Sequence, residues 1–341
     1  MKLLKNLKNE YIGRGLSTIC GVLIVFLTLS IIFFVVFKGI SVFSKGVSLR
    51  EFLFSTNWNP DNDVPKFGAL NFIAGSTFVS IGAVILSAPI SVALAIFINY
   101  ISPKVGDKVL KPALELFVGI PSVVYGWLGI SILLPIIKKI YGGTGFSILA
   151  GIIVLSIMIL PTIASISVDA IKVVPKSYLQ ASYGLGATRW QTISKVIVPS
   201  AKNGILTGII LGLARAFGEA LAVQMVIGNS IQFPNKLLNP ASTLTSVITM
   251  DMANTIGGTV WNDALWALAL LLLIISFLFI IAIRLIGRRG RVMNSKVIDK
   301  ILDGYIVFYF SFSSVIIDNS FRIYINERCK RIKFTILIFR P

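Results

Sequence analysis

Six stretches of this chain are long and almost free of charge, and they constrain it more than any other feature. They cover about residues 15–37, 68–101, 114–137, 146–168, 204–228 and 264–283. About 20 apolar residues in a helix cross the roughly 30 Å hydrocarbon layer of a bilayer. Only structures that satisfy their own backbone hydrogen bonds survive there. The expected fold class is an all-α membrane protein with six transmembrane helices. The second run exceeds what one crossing needs, so it tilts or starts along the outer surface, with Pro89 as a kink point. Glu115 edges the third run, Pro161 lies within the fourth, and the fifth alone carries a charge pair, Arg215 and Glu219. The first run follows a basic N-terminus but is too long for a signal peptide and lacks a small-x-small cleavage site, so it reads as an uncleaved span.

Composition agrees. The chain is 55% hydrophobic and 13% charged, with a mean hydropathy of +0.87. Soluble domains run about 25% charged, which excludes an ordinary soluble or disordered chain. The net charge of +18 is distributed by segment. Residues 1–14, 102–113, 169–203 and those after 283 carry +17, whereas 38–67, 138–145 and 229–263 carry +2. The positive-inside rule then puts both termini in the cytoplasm. Lys138 and Lys139 run against this pattern. The charge is a topology signal, and no nucleic-acid partner is expected.

Histidine is absent, and Cys20 and Cys329 share no metal or redox spacing. No catalytic residue, metal or other cofactor is expected. No GxxxxGK[ST] phosphate loop occurs, so ATP hydrolysis that powers transport belongs to a partner chain.

The loop 169–203 has more organisation than a connector requires. Ser177–Gln180 and Thr188–Gln191 both have the capping-box pattern. They predict two short helices, separated by a turn at Gly184-Leu-Gly186 and closed by Pro199 before the fifth span. Trp190, Ile193 and Val196/Ile197 give the second helix an apolar face. The loop reads as a docking element for a cytoplasmic partner rather than a helix lying on lipid headgroups.

That loop resembles the EAA motif of ABC importer permeases, with Gln180-Ala181-Ser182, Gly186 and Pro199 at the motif's spacing. Gln180 and Ser182 depart from its Glu and its second Ala. The similarity extends over about residues 12–290 to the PstC-type permease subunit of phosphate importers. It is carried by Trp58-Asn-Pro60, Ile73-Ala-Gly75-Ser76, Gly119-Ile-Pro-Ser-Val-Val-Tyr-Gly126, Arg215-Ala-Phe-Gly-Glu219 and Met225-Val-Ile-Gly-Asn229, in that order. The resemblance implies the type I ABC importer permease fold in a bacterial or archaeal plasma membrane. It implies four kinds of partner: a sister PstA-type permease, a cytoplasmic ATPase dimer, an extracytoplasmic phosphate-binding protein, and membrane lipid. It implies coupling to the ATPase through Gln180, Ala181, Ser182, Gly186 and Pro199.

Arg215 and Glu219 are four residues apart, which on a continuous helix puts them on one face about 6 Å apart. An arginine in mid-membrane costs about 2.5–3.5 kcal/mol on insertion scales, so a wet pathway is the better reason for it. Arg215 is expected to offer its donor fork to phosphate oxygens, with Glu219 orienting the fork. Sulfate or molybdate is the alternative cargo. An intramembrane enzyme and a proton-coupled carrier are rivals of other classes. The glycines of the fifth span are expected to serve helix packing.

The expected domains are a cytoplasmic N-terminus (1–14), a permease domain (15–292) and an atypical tail (293–341). The tail opens with Met293-Asn-Ser-Lys, which resembles the start of the sister permease, and its apolar run 305–317 is too short to span. It is expected to come from a frameshift or a fusion.

Overall fold

The computed structural model describes residues 2–60, 62 and 64–288. Residues 293–341, where the tail was set apart, lie outside that range. Among the described residues, six helices are long and apolar enough to cross a membrane: Gly15–Ser44, Leu70–Ile101, Ser122–Tyr141, Ile148–Lys172, Arg189–Gly218 and Val260–Leu285. Residues 33–291 form one compact unit, to which residues 1–32 do not belong. In the N-terminal unit the helix presents Ile19, Val22 and Phe26 on its surface, as a lipid-facing helix must.

The larger unit is centred on the fourth span. It packs along the second and fifth spans, and Leu155, Met158, Ile159 and Ile163 are completely buried. Gly208 and Gly212 of the fifth span sit against Ile163, which makes that helix pair close. A second cluster joins Phe52, Trp58, Phe67 and Phe72 to the start of the sixth span. There the two-residue strands Trp58–Asn59 and Lys66–Phe67 pair antiparallel, and elsewhere a single parallel bridge joins Gly228 to Ala241. Lys45 holds Asp263 in an ion pair of 2.5 Å beside this cluster.

Three sequence expectations change. The third run is not one helix. A helix of Lys111–Gly119 stops, Ile120 and Pro121 are extended, and a new helix begins at Ser122. Proline disfavours helical backbone in the residue before it, and the Phe117 carbonyl accepts both the Ile120 N–H and, at 2.9 Å across the break, the Tyr125 hydroxyl. The fifth run also ends early, at Gly218, and Leu221–Ile227 forms a separate short helix. Finally, the loop 229–263 contains a helix, Leu244–Asp251, whose first turn is buried.

The helices are also locally widened. Among the described residues four π-type turns cover Phe97–Ile101, Gly106–Leu110, Gly129–Leu133 and Ile193–Ile197. Each ends two residues before a proline: Pro103, Pro112, Pro135 and Pro199. A proline ring clashes with the carbonyl four residues back and offers it no N–H. Widening the preceding turn relieves that clash. At Pro112, Pro135 and Pro199 the helix then runs on through the proline. Pro199 was expected to end the loop helix; it is instead the second residue of Val198–Gly218. Lys138 and Lys139 occupy the last turn of their helix, where cations complement the helix dipole.

Candidate functional site: a polar cleft and a docking loop

The residues singled out by sequence fall into two groups. Arg215 lies in the last turn of Val198–Gly218, half-buried, and Nη1 donates to Thr162 Oγ1 of the fourth span at 2.9 Å. Glu219 is not on that helix. It has extended backbone (φ −75°, ψ 126°), and its Oε1 accepts the Ala222 N–H at 3.0 Å. The carboxylate therefore caps the following short helix, and among the described residues Arg215 and Glu219 form no ion pair. The expected pairing on one face fails because Gly218 ends the helix one residue before Glu219. Among the described residues the Arg215 guanidinium has a neutral hydroxyl, Thr162 Oγ1, as its hydrogen-bond partner and the Tyr125 phenol within electrostatic reach.

Glu219 faces a narrow cleft that it shares with Ser76, Ser80, Thr243 and Thr245. Three segments converge to make it. Gly75 lets the strand of chain at Ser242 lie against the second span; a Cβ there would stand 2.1 Å from the Ser242 carbonyl oxygen. That approach lets the Leu244 N–H donate to Ser76 Oγ at 2.8 Å. Thr243 caps the helix Leu244–Asp251 reciprocally with Ser246, and the Thr245 hydroxyl donates to the Glu219 carbonyl at 2.8 Å. The four hydroxyl residues are buried. None of the four was singled out as a site residue by sequence, although Ser76 closes the motif Ile73-Ala-Gly75-Ser76. The signal was there: Ser76, Ser80, Ser87 and Ser91 recur at helical spacing in the uncharged second run, and Thr243-x-x-Ser246 is a capping pair with serine in place of Glu or Gln.

The second group is the loop between the fourth and fifth spans. Helices Lys176–Gly184 and Arg189–Thr192 flank a turn in which Gly186 takes φ +80°, a conformation open to glycine. The Thr188–Gln191 capping box forms in both directions. The Ser177–Gln180 box does not: Pro175 caps that helix and Ser177 falls inside its first turn. Across the turn Ser182 and Thr192 are buried, with their hydroxyls 2.9 Å apart. Thr192 also donates to the Thr188 carbonyl at 3.0 Å, so Ser182 is the donor to Thr192. Gln180, Ala181, Gly186 and Pro199 are exposed. The apex is apolar: Leu185 is 89% exposed and Trp190 66%. Beside this loop, the turn after the second span holds Asp107 hydrogen-bonded to Lys111, whose ammonium keeps the carboxyl below its usual range.

Residues 87–292 match the model of the family described as "Binding-protein-dependent transport system inner membrane component". The chain is 51% identical over 286 residues to the probable ABC transporter permease protein YqgH of Bacillus subtilis, covering 83% of this chain and 93% of the relative. It is 34% identical to the phosphate transport system permease protein PstC of Haemophilus influenzae, covering 69% and 80%. It is 31% identical to the probable PstC of Methanocaldococcus jannaschii, covering 72% and 85%. A chain of the MetNI methionine ABC transporter, solved in inward facing conformations, shares the fold with a TM-score of 0.50 at 20% identity, over 66% of this chain and 94% of that one.

Proposed function

Because the chain belongs to the family of binding-protein-dependent transport system inner membrane components, and is a multi-pass plasma-membrane permease of the PstC type, we propose that it carries inorganic phosphate as half of an ATP-driven importer. A sister PstA-type permease supplies the other half of the pathway. A cytoplasmic ATPase dimer and an extracytoplasmic phosphate-binding protein complete the complex, and both termini face the cytoplasm. The relatives named for phosphate transport support the cargo.

The observation that carries the reading is the state of Arg215. A guanidinium has five N–H donors in a rigid fork. Here a helix break leaves the Glu219 carboxylate capping the next helix, and Thr162 Oγ1 takes one donor. A charge kept half-buried in a span, with no ion-pair partner among the described residues, is suited to a passing anion. One hydroxyl-anchored arginine holds phosphate weakly enough to release it, which conduction requires. Glu219, facing the cleft of hydroxyls, repels the anion from the wall and keeps it moving.

The loop 176–199 receives the stroke of the ATPase. Leu185 and Trp190 offer apolar surface at its apex, and the Ser182–Thr192 bond keeps its two helices rigid across the glycine turn. In this reading Gln180, Ala181, Gly186 and Pro199 face the partner or shape the loop, and Ser182 is internal. Arg215→Gln, with membrane insertion verified, is expected to lower phosphate uptake steeply, and Arg215→Lys to retain more of it. Undiminished uptake by Arg215→Gln would sink the pathway assignment.

A further inference from the structure

The loop joins the fourth span to the fifth, yet one of its side chains reaches elsewhere. The Arg189 guanidinium donates through Nη2 to the backbone carbonyl of Tyr100, at the end of the second span. We propose that Arg189 is a positioning residue that ties the docking loop to the second span, so that the ATPase stroke moves that span directly. The proposal rests on the reading of 176–199 as the ATPase-docking element.

The acceptor is free for a definite reason. The second span ends in the wide turn Phe97–Ile101, and Ser102 leaves helical backbone (φ −138°, ψ 74°). The last carbonyls of a helix have no partner within it, and three residues after Tyr100 stands Pro103, which has no N–H to give. A guanidinium here satisfies an orphan carbonyl and places positive charge at the negative end of the helix dipole. On the donor side, the position is fixed by the Thr188–Gln191 capping box, which sets the first turn that Arg189 opens.

The turn that Arg189 holds is itself clamped. Asn99 Nδ2 donates to Ala95 O at 3.0 Å and to Val168 O of the fourth span at 3.1 Å. Ile98 is buried in one apolar cluster with Ile171 and Ile197. A force on the loop at Arg189 therefore meets a stiff turn. The same helix carries Ser80 on the cleft wall, 20 residues away, or about 30 Å along the axis. The second span, helical without interruption through Pro89 and the wide turn, thus has the loop at one end and the cleft nearer the other.

The test uses the whole complex in proteoliposomes, with phosphate transported per ATP hydrolysed as the readout. A merely structural defect lowers both quantities together; a lost tether lowers their ratio. Arg189→Gln is expected to lower the ratio roughly tenfold, within the range for coupling residues, with the ATPase still co-purifying. Arg189→Lys, which keeps a charged donor, is expected to restore at least half of it. An unchanged ratio in Arg189→Gln overturns the tether, as does loss of the ATPase from that variant, which would make Arg189 a docking contact. Leu185→Asp, at the apex, separates the two readings. If it keeps both the ATPase and uptake, the docking reading fails and the tether with it. If it sheds the ATPase while Arg189→Gln keeps a normal ratio, the tether alone fails.

Discussion

The cleft and the docking loop are built in opposite ways. Around the cleft, three segments distant in sequence meet through buried hydroxyls and one capping carboxylate. The loop's own turn is held by close neighbours in sequence, a capping box, a glycine turn and a hydroxyl pair 10 residues apart, and it meets the rest of the chain through Arg189 and a few apolar side chains such as Ile197. The lesson is mechanical. A loop that receives a push has to be stiff on its own, whereas a passage that opens and closes has to be assembled from parts that can separate.

The predictions follow from that contrast, strongest first. Arg215→Gln removes the charge in the passage and is expected to lower phosphate uptake by about ten- to a hundredfold, the scale of a lost charge-assisted contact. Gly75→Val strikes where segments meet: its side chain has no room beside the Ser242 carbonyl. Overpacking of this kind costs about 1–3 kcal/mol or more, so a lowered thermal midpoint in detergent and poor uptake are expected. Thr192→Val leaves the Ser182 hydroxyl buried without an acceptor, a cost of about 1–3 kcal/mol. Co-purification of the ATPase should fall, and Ser182→Ala added to Thr192→Val should recover part of it. If the double variant is as poor as the sum of both, the pair is not the staple described.

The smallest effect is expected at Asp107→Asn. Lys111 depresses the Asp107 pKa, so its contribution is present above the ordinary carboxylate range and lost as pH falls through the depressed value. The carboxylate is exposed, so solvent screens it. The unfolding midpoint of Asp107→Asn should match the wild type from pH 7 down to pH 4. A clear drop would show that this turn is under more strain than its surface position implies.

The same contrast explains what could be read before the structure was seen. The long apolar runs and the loop with Thr188–Gln191 and Gly186 were legible because length, capping and turn chemistry are local. The break at Gly218 was not. Val198–Ile227 is apolar enough to look continuous, and what separates Glu219 from the helix is its bond to Ala222 and the Thr245 hydroxyl on its carbonyl. Thr245 comes from a segment 26 residues on, which no periodicity count reaches. The break at Pro121 was readable in principle, since the residue before a proline avoids helical backbone, but the apolar run masked it. The hydroxyls of the cleft were passed over because serine and threonine in a span read as neutral filler until they are seen to converge.

The most direct measurement is phosphate accumulation in proteoliposomes holding this chain, its sister permease and the ATPase, with the binding protein inside or outside and ATP as the variable. The account predicts uptake that needs ATP and the binding protein, falls steeply in Arg215→Gln, and is not matched by sulfate or molybdate. Uptake that proceeds without the ATPase, or that favours sulfate over phosphate, would contradict it.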